Sequence, residues 1–369
     1  MKKVLEPSLI GLKNLKSKIN FIRKEMENLK IDAYFVYYLP NIWYLTGFRG
    51  SSAYLIITKN KSYFITDGRY KEEAEKEIEK EFEILIHKGL IETLKKEKFM
   101  RYIKRIGFEK EFLPYGFYKN FERETGKKLI PCDDIIKKIR KYKTEEEIEK
   151  IKEAQRINEK IFNEIIEIIK PGKTTESLLA AEIEYRIKKS GGEPAFPPIV
   201  ATGENSALPH AKPSKKIIKN NKPLKIDMGV KYNGWCSDMT RTIWIGNKVS
   251  KEFEKIYQIV LDANNKAIDF LKPGIPAKDV DKVARDYIEE KGYGKYFIHG
   301  LGHGIGVEVH ESPALSFLSK DVIEEGMVFT IEPGIYLSNH FGVRIEDMVY
   351  IKNGEKKILT KTKKELIKI

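Results

Sequence analysis

Residues 299–311 read HGLGHGIGVEVHE, placing three of the chain's six histidines within thirteen positions and a glycine on each side of the middle one. Imidazoles at this density can bind a metal, move protons or satisfy one another in a core. Alternating glycines can also cradle a phosphate, but the context here argues against it. Gly300, Gly302, Gly304 and Gly306 alternate strictly and Pro313 follows soon after. A dinucleotide fingerprint needs a strand, then G-x-G-x-x-G, then a helix.

Four acids in apolar surroundings bear on the choice. Asp227 lies in PLKIDMGV (223–230), Asp238 in WCSDMTRTIWI (235–245), Glu332 in MVFTIEPGI (327–335) and Glu346 in FGVRIEDMVYI (341–351). An ionised carboxylate among Ile, Met, Val and Trp is costly unless it is paired or coordinates a metal. Arg241 or Arg344 could partner any one of these acids taken singly. Four acids drawn into one site would repel each other toward protonation. A pair of divalent cations offsets them and leaves room for a bridging hydroxide.

The elements that must position these acids form a weak internal repeat. A helix opens on the capping box Thr144-Glu145-Glu146-Glu147, carries the stripe Ile148, Ile151, Ile157, Ile161, Ile165, Ile168 and stops at Lys170-Pro171-Gly172. A second helix follows, ESLLAAEIEYRIKKSGGE. About a hundred residues on, Lys272-Pro273-Gly274 ends another helix and KDVDKVARDYIEEKGYG follows. Each helix pair leads into a strand with an acid two residues before a glycine, then into a second strand with a further acid. The chain before this repeat alternates helix (13–30), strands (31–38, 53–58, 61–67) and a charged helix (69–80), with a linker region from 131 to 143. The expected fold class is therefore α/β (α+β), with a smaller mixed domain over 1–135 and a repeat-built catalytic domain over 136–369.

Composition narrows the classes. A hydrophobic fraction of 41% and an aromatic fraction of 11% are those of a globular chain. No apolar run reaches the roughly 18 residues of a membrane span, and the basic N-terminus is broken by Glu6, Pro7 and Asn14 before any leader core develops. Cys132 and Cys236 lie far apart, which suits reduced thiols in a cytoplasmic protein. The net charge of +14 raises a nucleic-acid reading. Residues 1–143 hold 32 basic and 20 acidic residues, but interleaved, as in KEEAEKEIEKEFE, which describes a solvated surface. Neither nucleic acid nor membrane is expected as a partner.

The string D-x-G-x(8)-D-x-T-R-T at 227–242, then HGLGHGIGVEVHE, then TIEPG (330–334) and VRIED (343–347), resembles the creatinase/prolidase/methionine-aminopeptidase superfamily. These are the pita-bread metallopeptidases of family M24. ALPHA (207–211) and the two-domain layout resemble its Xaa-Pro branch, aminopeptidase P and prolidase; TGFRGSSAYLIIT and FITDGRYKEEAE are closer to the aminopeptidase P type. The resemblance implies a pita-bread domain with pseudo-two-fold symmetry and two divalent ions, Mn²⁺ foremost, with Co²⁺ or Zn²⁺ as alternatives. Asp227 would bind one ion, His303 and Glu332 the other, and Asp238 and Glu346 would bridge. Glu332 would also shuttle protons, and Arg344 would orient the carboxylates with Thr240 beside the bridge. His210 and His310 would line the substrate pocket, and His299 its proline side. The implied activity is removal of an N-terminal residue preceding proline by a metal-bridging hydroxide. Prolidase activity on Xaa-Pro dipeptides is the alternative, and a non-catalytic pita-bread binding protein a remoter one. The implied partner is a proline-containing peptide and the implied assembly a homodimer. Two details complete the expectation. Trp235 stands where the family often has tyrosine, and strand alternation puts His299 and His303 on one face and His310 on the other.

Overall fold

The computed structural model describes residues 12–369; the first eleven residues, part of the basic stretch read as no leader, lie outside them. The chain divides into two compact units between Arg140 and Lys141.

The first unit is built on a six-stranded mixed sheet in the order Phe82–His87, Ser62–Asp67, Ala53–Thr58, Ala33–Val36, Arg105–Glu109, Lys128–Cys132. The three central strands expected from apolar runs are present, and helix Leu15–Asn28 starts at an Asn14–Ser17 capping box. The stretch 131–143, expected as a linker, is corrected. Lys128–Cys132 is an edge strand, and Ile135–Arg140 is a helix with Ile135, Ile136 and Ile139 buried. Its lysines face outward around an apolar stripe, and their density hid the stripe in the sequence. The unit accordingly ends after Arg140, beyond the expected residue 135. Glu109 is fully buried and accepts hydrogen bonds from the Tyr37 and Tyr38 amides (2.8 Å each) and from Asn41 Nδ2 (2.6 Å). Asn41 also reaches Asp134 (2.8 Å) and accepts from Arg140 Nη1 (2.7 Å), so this polar knot fastens helices Leu39–Thr46 and Ile135–Arg140 to the sheet.

The second unit carries the repeat. Helices Glu145–Ile168 and Glu176–Lys189 precede strands Lys222–Met228, Val230–Tyr232, Trp235–Cys236 and Met239–Ile245. Helices Lys251–Phe270 and Ala277–Glu290 precede strands Val328–Ile331, Gly334–Leu337, Phe341–Arg344 and Asp347–Lys352. The Thr144–Glu147 capping box forms, and Gly172 and Gly274 take φ of +83° and +87° at matching helix ends. Each helix pair buries an apolar face on its own sheet: Ile161, Phe162, Ile183 and Ile187 against Leu224, Ile226 and Ile243, and Phe253, Val260, Val280 and Ala284 against Phe329, Ile331 and Val349.

Residues 362–369 return to the first half. Fully buried Arg241 donates to the carbonyls of Thr362 (2.7 Å) and Lys363 (3.1 Å) and to Asp347 Oδ1 (2.7 Å). The Trp244 amide donates to Ile367 O at 2.9 Å, and the Ile369 amide donates to Trp244 O at 3.0 Å.

Candidate metal centre and substrate cleft

The acids were expected inside strands; the structure puts them at or beside strand ends. WCSDMTRTIWI is two strands separated at Ser237-Asp238, and FGVRIEDMVYI is two strands separated at Ile345-Glu346. Glu332 follows Val328–Ile331, and Asp227 is the penultimate residue of Lys222–Met228. Where a chain leaves one ladder for the next, side chains from both halves can turn inward together, which continuous strand alternation would forbid.

At this convergence His303, Asp238 and Glu346 offer ligand atoms all within 4.8 Å of one another. His303 Nε2 lies 3.2 Å from Glu332 Oε1 and 3.8 Å from Asp238 Oδ2. Asp227 is held by a short ion pair with Arg344 Nη2. Arg344, almost wholly buried, also donates through Nε to Thr240 Oγ1 (3.0 Å) and through Nη1 to Tyr336 OH (2.9 Å) and Pro209 O (3.2 Å). Thr240 Oγ1 in turn donates to Glu346 Oε2 at 2.8 Å. Arg344 thus ties carboxylates of both halves together, directly at Asp227 and through Thr240 at Glu346.

The electrostatics show what this cluster lacks. Burial, then the neighbouring carboxylates Glu346, Asp227 and Glu332, push Asp238 well above the usual range. Burial, then Glu332 and Asp227, do the same to Glu346. Burial also pushes Glu332 upward, but the His303 hydrogen bond and the cations around it prevail and bring it down to about 2. Asp238 Oδ1 and Glu346 Oε1 are buried without a hydrogen-bond partner among the described residues. Orphaned carboxylate oxygens that repel each other are unstable as built and suited to cations. One imidazole among four carboxylates is a hard, oxygen-rich donor set. The residues present therefore fit the expected divalent ions.

A cleft of about 480 Å³ opens onto the cluster, lined by all five of these residues, by Arg344, His210, His299 and His310, and by Phe196–Ile199 and Pro209–Pro213. His299 hydrogen-bonds Tyr336 OH at 2.9 Å. The expected separation of His303 from His310 is overturned. A register shift between His303 and Gly304 breaks the strand, Ile305–His310 runs irregularly, and the two rings meet edge to face with centroids 4.3 Å apart. An ion pair whose side chains are almost wholly out of solvent, Lys143 Nζ to Glu311 Oε2 at 3.0 Å, fastens the end of that segment. The glycines serve backbone packing rather than a ligand. A Cβ on Gly302 would stand 2.0 Å from Thr330 O, and one on Gly304 2.2 Å from Ser312 O. Cys236 is an inert packed thiol, pushed up to about 12 by burial.

Two residues of the site escaped the sequence reading. Tyr336 joins His299 to Arg344 and was lost in an apolar strand. Lys225, two residues before Asp227 on the same strand face, is fully buried. A lysine in the middle of PLKIDMGV was the visible signal.

Duplicated halves that end their strands on acids, with an imidazole between them and a cleft in front, describe a metal-dependent hydrolase. The metallopeptidase family M24 model matches residues 149–353 and the creatinase/prolidase N-terminal domain residues 18–142, and the chain belongs to this family, with its pita-bread fold. It is 42% identical over 361 residues to an Xaa-Pro dipeptidase of Pyrococcus horikoshii, covering 96% of this chain and 99% of that one. Among solved structures, an Xaa-Pro dipeptidase from Bacillus anthracis superposes with a TM-score of 0.93 at 38% identity, covering 96% of this chain and all of that one. An X-Pro aminopeptidase from Thermotoga maritima superposes with a TM-score of 0.86 at 40% identity, covering 94% and 100%.

Proposed function

We propose that this metallopeptidase is an Xaa-Pro exopeptidase of the aminopeptidase P type, removing an N-terminal residue that precedes proline. The observation that carries the reading is the orphaned carboxylate cluster of Asp238 and Glu346, with His303, Glu332 and Asp227 around it, at the floor of a peptide-sized cleft. In this reading those five residues hold two divalent cations, Mn²⁺ foremost and Co²⁺ or Zn²⁺ on the same donors. When bound, such ions polarise the scissile carbonyl and lower the pKa of a shared water.

The chain's own residues supply the rest. A proline nitrogen is a tertiary amide and must be protonated to leave. Glu332 is suited to carry that proton: Thr330 and His303 engage Oε1, while Oε2 has only the more distant Arg344 Nε at 4.0 Å beside it. Burial and the neighbouring His303 hold His310 below the ordinary imidazole value, and burial does the same to His299, so both meet substrate as neutral rings. His210, exposed, lines the same cleft. Arg344 fixes the carboxylates and is not spare: it is committed to Asp227, Thr240, Tyr336 and Pro209. It is the only guanidinium among the described lining residues, leaving exposed Lys212 as the remaining side-chain ammonium or guanidinium at the rim. Dipeptidase activity is the second reading, favoured by the names of the Pyrococcus and Bacillus relatives. A cytoplasmic homodimer completes the proposal; the buried free thiols of Cys132 and Cys236 suit a reducing compartment.

The test is hydrolysis of Gly-Pro against Gly-Pro-Ala after chelation and Mn²⁺ restoration. Cleavage of the tripeptide after glycine is expected. Cleavage of the dipeptide alone would establish the second reading, and cleavage of neither would overturn both. Light scattering at twice the 42.8 kDa chain mass checks the dimer.

A further inference from the structure

A lysine with no exposed surface in the middle of a central strand is unusual, because a buried ammonium is costly unless fully hydrogen-bonded. Lys225 has no carboxylate partner within ion-pair distance among the described residues. Its Nζ instead donates to three backbone carbonyls, Ser206 (3.1 Å), Leu208 (2.6 Å) and Pro209 (3.3 Å), matching the three donors of an ammonium. These carbonyls belong to one turn, and the next residue is His210.

The loop bearing that turn is held at distinct places. Glu176, fully buried, fastens both feet: it accepts from the Thr202 amide (2.7 Å) and Asn205 Nδ2 (3.0 Å) on one side and from the Ser214 amide (3.0 Å) and hydroxyl (2.6 Å) on the other. The crest is held by Lys225 and by Arg344 Nη1, which shares Pro209 O. Lys225 Nζ also lies 5.2 Å from the ring centre of Tyr336, whose hydroxyl joins Arg344 and His299. A single buried side chain therefore links the strand bearing Asp227 to the peptide that presents His210.

We propose that Lys225 is a positioning residue: it sets His210 at the mouth of the cleft by holding the Ser206–Pro209 turn. The inference rests on the Xaa-Pro reading only for what His210 touches; the placement of the turn stands apart from it.

Two measurements test it. In Lys225→Met, which keeps length and loses every donor, amide hydrogen exchange across 206–211 should quicken by ~10-fold or more, the factor that ~1.4 kcal/mol of lost holding energy would give. Exchange across 222–230 and 328–346, and Mn²⁺ affinity, should stay within about 2-fold. Unchanged exchange at 206–211, or equal quickening everywhere, overturns the proposal. In the same variant KM for an Xaa-Pro peptide should rise ~10-fold with a smaller change in kcat. Combined with His210→Ala, it should add little further loss, and additive losses would overturn the coupling. If the wild type cleaves no Xaa-Pro peptide, the functional reading fails while the exchange result still decides the role of Lys225. Should Lys225→Met not fold, Lys225→Gln replaces it: exchange at 206–211 faster than wild type supports the proposal, and a wild-type rate overturns it.

Discussion

At the scale of single residues, the site is a collection of charges that the fold by itself does not satisfy. Asp238 is raised by burial and by its neighbours, so its protonation stabilises the metal-free protein fully below the unfolded value of 3.8, and that stability is lost as pH rises. Asp238→Asn should therefore raise the Tm of the chelated protein by several degrees at pH 7, an advantage that shrinks toward pH 3.8. The same variant should lose bound metal and more than ~100-fold in activity, the upper end of what changes around a ligand cost. Calorimetry and metal analysis on one sample check both, and a less stable metal-free variant would contradict the charge argument. The sequence showed these acids because they break an apolar pattern. It did not show Tyr336, whose hydroxyl sits in an ordinary strand alternation, and it underused Lys225, an equally plain break in the pattern.

At the scale of elements, the strands carry less regularity than their apolar runs suggest. The alternation rule sent His310 away from His303 because it assumes an unbroken strand, and the register shift after His303 removes that assumption. The same limit hid the breaks at Asp238 and Glu346, since a residue at a ladder crossing has the same apolar neighbours as one inside a strand. The helices were legible because caps and stops are local chemistry, as at Thr144 and Lys170-Pro171-Gly172. Gly302 shows how tightly the histidine-bearing strand is built: a methyl group there would meet Thr330 O at 2.0 Å. Gly302→Ala should cost ~3 kcal/mol or more, read as a lower urea midpoint at constant m-value. An unaffected midpoint would mean that the two backbones can part without penalty.

At the scale of the whole molecule, the repeat was readable from two matching helix stops and two acid-x-glycine strands. The end of the first unit was not, because a lysine-rich surface concealed the stripe of Ile135–Arg140. That unit holds a titratable knot of its own. Burial, then Asp134, raises Glu109 from 4.5 to about 7 despite its three donors. The neutral form is favoured in the fold, so the stability it contributes is complete below pH 4.5 and falls away as pH rises to about 7, by roughly 3 kcal/mol. Glu109→Gln should flatten this slope in denaturation curves across that window; an unchanged slope would place the titration elsewhere. A last consequence concerns the order of synthesis. Arg241 lies deep in the first half of the second unit, yet two of its four carbonyl partners are residues 362 and 363, a third is Glu346, and the Trp244 strand is paired by 367 and 369. A ribosome-bound chain that has emerged only as far as the first repeat lacks most of the groups that bury and satisfy this guanidinium in the folded protein. The first unit can settle while translation continues, whereas Arg241 and the Trp244 strand gain these partners only once residues 362–369 have been made.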